Sequence, residues 1–193
     1  SIRLRTSLIG TLGLAGFKAL YSVVAIATFL PLCYVYFSEK HAGVQLFTPT
    51  IELHYLSQVL ILFALITLLQ GLMTLNAQTT LAELTGRFPE EARGIQRITR
   101  HPQNFSFALF GIAHCLVLPF VGDWLFFGGF LVYGILSALH QDRRTRATGP
   151  EAVKQFQTDT SLIPFAAILS GKQRLALGEY NIIGVVVAVG LFI

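Results

Sequence analysis

Long segments without charged residues are the feature of this sequence that most constrains its fold. Four of them cover 14–37, 56–75, 105–121 and 124–139, a fifth begins near residue 180, and the only charge inside them is Lys18. About 20 apolar residues in an α-helix span the roughly 30 Å hydrocarbon core of a bilayer. The shorter segments can span it only when nearly upright or where the bilayer thins. Because backbone groups in lipid must pair within their own segment, the sequence predicts an all-α polytopic transmembrane helix bundle with five spans.

The composition agrees with this class of protein. Of the 193 residues 53% are hydrophobic and only 12% are charged, with a mean hydropathy of +0.63. A soluble domain carries about 25% charged residues. The length fits one domain over 1–193. Since Ser1 is not a start methionine and Ile193 stands in an apolar run, we expect the natural chain to continue at both ends.

The basic residues predict which loops share one side of the membrane. Of the 14 Lys and Arg residues, all but Lys40 lie in three regions: Arg3, Arg5 and Lys18; Arg87, Arg93, Arg97 and Arg100; and Arg143, Arg144, Arg146, Lys154, Lys172 and Arg174. Five alternating spans put these regions on one side, which the positive-inside rule assigns to the cytoplasm or the plastid stroma. We therefore expect a bacterial inner membrane or a plastid membrane. Contact with anionic lipid accounts for the net charge of +4, so no nucleic-acid partner is needed.

His114 is the first candidate for chemistry, because it lies in the middle of the apolar segment 105–121. A titratable ring in hydrocarbon is costly and usually faces a protein interior. On a helix it shares a face with Phe107, Phe110, Gly111 and Leu118. It could ligate a metal or a haem, carry protons, ligate a pigment, or only bond to a neighbouring helix. Neutral imidazole is a common axial ligand of haem iron, so His114 is the candidate metal and haem ligand.

Arg100 and His101 are the second candidates, at the start of the same helix, where Pro102 occupies the first helical position. His101 is about 20 Å from His114 at 1.5 Å per residue, so the two cannot ligate one metal. Helix N-termini attract anions such as haem propionates or phosphate. Arg100 and His101 are therefore candidate cofactor-binding residues. The alternative is that His101 only begins the helix and contacts lipid headgroups.

The loops on the basic side also contain recognisable segments. The stretches 89–93 and 150–159 are predicted to form surface helices. The apolar stretch 161–169 is too short to span, so it must lie at the interface or fold back into the bundle. The sequence has no HExxH motif, no paired carboxylates inside a span, no Gly-rich phosphate loop and no nucleophile elbow, which argues against hydrolases.

Three stretches together resemble the NnrU family of membrane proteins, which includes the plant and cyanobacterial 15-cis-zeta-carotene isomerases. They are ARGIQRITRHPQ at 92–103 followed by IAH at 112–114, DRR at 142–144, and TSLIPFAAI at 160–168 followed by GKQRL at 171–175. The resemblance implies a bundle of six helices in the full protein, haem b held by histidine, and redox-controlled conversion of a cis double bond of tri-cis zeta-carotene to trans. The family's histidines match His114 and His101.

The chain departs from the isomerase pattern at two points. Isomerases have a cysteine, a proposed alternative ligand, three residues before the histidine that matches His114, and this chain has Gly111 there. Cys115 lies about 100° around the helix from His114 and cannot simply replace that cysteine. The family's other candidate histidine belongs to a first helix that would precede Ser1.

The resemblance leaves three functions open. One is a haem-dependent carotenoid cis–trans isomerase in which His114 is catalytic and an apolar carotenoid-like substrate enters from the lipid bilayer. Another is an NnrU-type protein linked to denitrification or nitric oxide metabolism without isomerase activity. The third is an accessory subunit of a larger photosynthetic or respiratory membrane complex.

Overall fold

A computed structural model describes residues 2–74, 84–86 and 91–193. In this part of the chain the only β-pairing is a single bridge between Gln45 and Phe120, which confirms the all-α class. The helices are α1 (Ile2–Ser38), α2 (Ile51–Met73), α3 (Pro102–Val117), α4 (Val121–Thr148), α5 (Glu151–Asp159), α6 (Ala166–Leu169) and α7 (Ile182–Phe192). Two 3-10 turns, Gly94–Arg97 and Leu177–Glu179, lie in the loops.

Within the described ranges, three helices are long and apolar enough to cross a membrane: Leu4–Ser38, Ile51–Met73 and Val121–Ala147. These helices suggest a membrane protein. Helix α3 has 16 residues and α7 has 11. At 1.5 Å per residue α3 is about 24 Å long, which is shorter than a typical hydrocarbon core. The predicted count of five spans therefore stays a prediction.

The helices pack side by side in the order α7, α2, α3, α4, and α1 touches α4. Glycines allow α3 and α4 to approach each other closely. A Cβ atom on Gly111 would lie 2.5 Å from the carbonyl oxygen of Phe127, and one on Gly134 would collide with the carbonyl oxygen of Asn104. Small residues at helix crossings are typical of membrane bundles, where association depends on close packing rather than on the hydrophobic effect.

Buried polar side chains join helices at two further points. Ser57 of α2 donates to the carbonyl oxygen of Ala113 at 2.8 Å. The amide of Gln70 donates to the carbonyl oxygen of Asn181 at 2.7 Å and accepts from its N–H at 2.9 Å. Because Gln70 is only 1% exposed, this pair of bonds satisfies a polar group that would otherwise be costly inside the bundle. It also fixes the start of α7 against the end of α2.

The segment 161–165 folds back against residues 98–100, just before α3. Folding back was one of the two arrangements that the sequence predicted. The N–H of Arg100 donates to the carbonyl oxygen of Ser161, and the N–H of Phe165 donates to that of Ile98, both at 2.9 Å. The predicted surface helix at 150–159 is confirmed by α5. The predicted helix at 89–93 is wrong for Glu91 to Arg93, which are not helical because a 3-10 turn begins at Gly94; residues 89 and 90 lie outside the described residues.

Candidate functional site

His114 lies in the last turn of α3, three residues before its end at Val117. It stands in the middle of the apolar segment 105–121, but α3 begins and ends earlier than that segment, so it lies near the end of the helix. Its Nδ1 atom is 2.8 Å from the carbonyl oxygen of Phe110. A carbonyl only accepts, so Nδ1 carries the proton and Nε2 carries a lone pair. Nε2 makes no hydrogen bond to the residues that the structure describes.

Aromatic rings hold the His114 imidazole. The ring of Phe127 stacks on it, with centroids 4.3 Å apart and planes 13° apart, and the ring of Phe110 lies 4.2 Å away. Phe127 in turn meets the ring of Tyr36 edge to face at 5.4 Å. The orientation of His114 is thus set by α4 through stacking and by its own helix through a hydrogen bond.

A fully buried carboxylate, Asp123, lies one turn before Phe127 in α4. It is 0% exposed. The hydroxyl of Tyr36 donates to its Oδ1 at 2.9 Å, and Nδ1 of His41 lies 2.9 Å from its Oδ2. Asp123, Tyr36 and His41 were not among the predicted site residues. The one signal that could have identified Asp123 is the position of an acidic residue between the apolar segments 105–121 and 124–139.

The opposite end of α4 holds a second buried carboxylate, Asp142, which brings Arg100 and His101 together. Arg100 donates from Nε to Oδ1 and Oδ2 at 3.1 and 3.0 Å, and from Nη2 to Oδ2 at 2.7 Å. His101 donates from Nε2 to Oδ1 at 2.7 Å. The remaining nitrogen of Arg100, Nη1, donates to the carbonyl oxygens of Gln157 and Thr160. All three guanidinium nitrogens therefore serve the fold, and the cofactor-binding role of Arg100 and His101 stays a prediction.

The two carboxylates mark the two ends of the same helix. Asp123 and Asp142 are nineteen residues apart, or roughly 28 Å at 1.5 Å per residue, close to the thickness of a hydrocarbon core. Each is paired with a histidine from outside α4. Since a buried charge without a partner is strongly unfavourable, these pairs let the ends of α4 carry charge while its middle stays apolar.

A third charged cluster lies outside the apolar helices. Arg97 donates to both carboxylate oxygens of Glu179 at 2.8 Å, and the N–H of Gly94 donates to Oε2 at 2.8 Å. These hydrogen bonds, those from Arg97 most of all, lower the pKa of Glu179 to about 2. The same bond to Glu179 raises the pKa of Arg97. The cluster ties the 3-10 turn Gly94–Arg97 to the approach of α7.

The side chains that could ligate a metal are scattered over the described part of the chain. Within the described residues, no three His, Cys, Asp or Glu side chains come close enough to hold a metal ion. Haem iron needs only an axial ligand from the protein. His114 fits that role, since ligating imidazoles donate from one ring nitrogen to a carbonyl or carboxylate and bind the metal with the other.

Comparisons with known proteins agree with the sequence motifs. The sequence model of the NnrU protein family matches residues 1–193. The chloroplastic 15-cis-zeta-carotene isomerase of Zea mays is 35% identical over 85 residues, or 42% of this chain and 22% of that protein. The enzyme of the same name from Arabidopsis thaliana is 34% identical over 91 residues, or 46% of this chain and 24% of that protein. The matches thus span less than a quarter of each relative. No solved structure matches this chain significantly.

Proposed function

Because the chain belongs to the NnrU protein family, we propose that it is a haem-binding integral membrane protein with an activity like that of a carotenoid cis–trans isomerase. The names of its relatives support the reaction class, and its long apolar helices support residence in a bilayer, where an apolar carotenoid-like substrate dissolves. The membrane is a plastid or bacterial inner membrane with the basic loops on the stromal or cytoplasmic side.

The hydrogen bond from Nδ1 of His114 to the carbonyl oxygen of Phe110 carries the haem proposal. It fixes the tautomer that leaves the Nε2 lone pair available, and the stack on Phe127 prevents the ring from turning. When bound, haem supplies a Lewis-acidic, redox-active iron. The chain's own part is to hold His114 in this orientation and to exclude water from the substrate with the apolar side chains of the bundle.

The environment of Gly111 favours a second candidate function. A Cβ atom at this position would lie 2.5 Å from the carbonyl oxygen of Phe127 and 2.8 Å from the N–H of Leu131. The cysteine of the isomerase pattern therefore has no room in this bundle, because backbone atoms of α4 occupy its place. If that cysteine is essential for the reaction, the chain is an NnrU protein without isomerase turnover, which is the candidate linked to nitric oxide metabolism.

Haem loading tests the first step of this proposal. The full-length protein is purified from haem-replete cells as wild type, His114→Ala and His54→Ala, and its haem is measured as the pyridine haemochrome. His54 is a matched control, because its Nδ1 also lies 2.8 Å from a carbonyl oxygen, that of Thr50, but its ring is exposed. Loss of haem in His114→Ala alone supports the proposal. A wild-type protein without haem, or equal loading in both variants, contradicts it.

Activity separates the two candidates. The full-length protein is expressed in cells that accumulate the tri-cis substrate, and the isomers are resolved by chromatography. Conversion to the trans product at the central bond supports the isomerase. If the cis isomer persists beside abundant haem-loaded protein, the second candidate is favoured; a haem spectrum that responds to nitric oxide then agrees with it. A stoichiometric co-purifying partner instead supports a subunit of a larger membrane complex.

A further inference from the structure

An apolar groove of about 280 Å³ runs between α2, α3 and α4. Its walls are aliphatic side chains of α2, among them Ala64, and the rings of Phe107, Phe110 and Phe130. The one polar side chain in the lining, Ser106, donates its hydroxyl to the carbonyl oxygen of Gln103 at 2.7 Å. The groove therefore offers no unsatisfied polar side chain to a ligand, and it suits a ligand that has none either.

The depth of the groove excludes the headgroup of a phospholipid and leaves apolar chains, of a lipid or of another ligand, as its occupants. The lining residues lie at 61–68 in α2 and 106–110 in α3, and Phe130 lies nine residues inside the start of α4. These positions are near the middle of each helix, away from the charged groups at Asp123 and Asp142. A headgroup drawn to this depth would lose its hydration without gaining a partner, at a large cost.

The aromatic rings point to the chemical class of the ligand. Phe107 and Phe110 present one face of α3 to the groove, and the same face continues to His114, whose ring lies 4.2 Å from that of Phe110. Phe130 adds its ring from α4, 5.3 Å from Phe110. Aromatic side chains contribute large apolar contact area and orient flat π-systems by stacking and edge contacts. A flat conjugated chain fits such walls better than a flexible saturated chain.

We propose that this groove binds a linear, fully apolar polyene along α3, with one end against Phe110 beside His114. The inference rests on the proposed function, whose reaction it locates on one side of α3. It assigns the walls of the substrate site to Phe107, Phe110 and Phe130, and its floor to Ala64. Substrate length and isomer preference then depend on these residues.

The chain provides a matched control on the opposite side of α3. A second apolar groove of about 290 Å³ lies between α3 and α4, where Ala138 is in the lining and His101 closes one end. Ala64 and Ala138 are both buried, at 5% and 4% exposure. The substitutions Ala64→Phe and Ala138→Phe therefore add the same ring to two similar grooves, and only the first obstructs the proposed site.

The experiment measures binding of 1,6-diphenylhexatriene, a linear apolar polyene, to the full-length protein in phosphatidylcholine nanodiscs. Energy transfer from Trp124, the only tryptophan of residues 1–193, reports the bound probe, and any tryptophan outside this range is replaced by phenylalanine. Trp124 lies roughly 9 Å along α4 from Phe130, at 1.5 Å per residue. Ala64→Phe is expected to weaken the apparent affinity about tenfold, because an added ring overfills the groove, while Ala138→Phe leaves it unchanged. Circular dichroism and thermal melting accompany each variant.

A second variant tests the same groove without the risk that an added ring disturbs folding. Phe107→Leu removes an aromatic wall without adding volume, and it is expected to weaken probe binding while the melting temperature changes little. Transfer that is equal in wild type and all variants shows partition into the bilayer alone and overturns the proposal. The proposal is also overturned if Ala138→Phe weakens probe binding and Ala64→Phe does not. The readout needs no haem, so a protein that binds the probe but lacks haem contradicts the proposed function and leaves this inference standing.

Discussion

His101 and Asp142 are forty-one residues apart in sequence, yet Nε2 of the histidine is 2.7 Å from Oδ1 of the aspartate. This bond joins the start of α3 to the basic end of α4. Both side chains are buried, at 4% and 7% exposure. Arg100 and His101, which directly precede α3, therefore hold α3 and α4 together. Any role of theirs in cofactor binding must be compatible with the contact to Asp142.

Asp142→Ala is expected to destabilise the protein strongly. Removing the carboxylate leaves the guanidinium of Arg100 buried without its partner, which costs about 3–5 kcal/mol. Glu151→Ala is the control, since Glu151 is 87% exposed and pairs only with Lys154, and it should change stability by less than about 1 kcal/mol. Denaturant unfolding in detergent, followed by circular dichroism, measures both. The double variant Arg100→Met with Asp142→Leu should recover part of the stability, because no buried guanidinium is left unpaired, although His101 and the carbonyl oxygens of Gln157 and Thr160 still lose a partner. Equal costs for Asp142→Ala and Glu151→Ala would contradict the prediction.

Gly111→Ala is expected to lower stability by about 1–3 kcal/mol, because its Cβ would meet the Phe127 carbonyl and force α3 and α4 apart. Gly111→Cys should cost at least as much. Gly128→Ala is the control, since no atom lies within 4 Å of its added Cβ. At that position alanine should be neutral or should stabilise α4 by up to about 1 kcal/mol through its better helix propensity. A stable Gly111→Cys variant would show that the two helices can separate and would restore the isomerase pattern.

The sequence was sufficient to predict the long apolar helices, because long apolar runs are local signals, and it singled out His114 as a lone histidine among them, whose role stays a prediction. It was also sufficient to predict that 161–169 could not span. The residues that pair with the buried carboxylates were not predictable in this way, because they are distant in sequence. Asp123 meets Tyr36 and His41 from eighty-seven and eighty-two residues away, and only the packing of α1 and the following loop on α4 brings them together.

Helix ends were the least predictable part of the fold. The apolar segment 124–139 ends before the charged residues Asp142 and Arg143, but α4 continues to Thr148. The helix can continue because the guanidinium of Arg100 pairs with Asp142 in the interior and His101 donates a hydrogen bond to it. Likewise α3 ends at Val117 rather than at residue 121, so His114, in the middle of the apolar segment, lies in the last turn of the helix. Hydropathy marks where lipid contact ends, whereas the helix ends depend on hydrogen-bond partners supplied by distant residues.

The contact between Arg97 and Glu179 is expected to weaken in acid. The pKa of Glu179 is about 2 in the folded protein against an ordinary 4.5. A lowered folded pKa stabilises the fold above the unfolded value and loses this effect as the pH falls through the folded value. Hydrogen exchange in 91–97 and 171–181 should therefore quicken between about pH 4.5 and 2 in the wild type, beyond the intrinsic effect of pH on exchange. The effect is small because Glu179 is partly exposed to solvent. In Glu179→Gln that extra dependence should vanish; its persistence would assign the transition to another group.

Asp123→Ala is expected to loosen the loop after α1. This carboxylate binds Tyr36 of α1 and His41 of the loop, and the N–H groups of Val121 and Gly122 add bonds to the loop carbonyls at 44 and 42. Without the carboxylate, trypsin should cleave faster after Lys40, the only Lys or Arg between 19 and 86.

Two tyrosine variants grade this effect. Tyr36→Phe keeps the ring stacked on Phe126 and loses one hydrogen bond worth about 1 kcal/mol, so its cleavage should be intermediate. Tyr34→Phe is the control, because Tyr34 is 75% exposed and should leave the rate unchanged. The measurement is the rate of appearance of the Lys40 fragment by mass spectrometry, with trypsin on the side of the membrane that this loop faces. Equal rates in Asp123→Ala and the wild type would show that backbone bonds alone hold the loop, and that Asp123 is not what attaches it to α4.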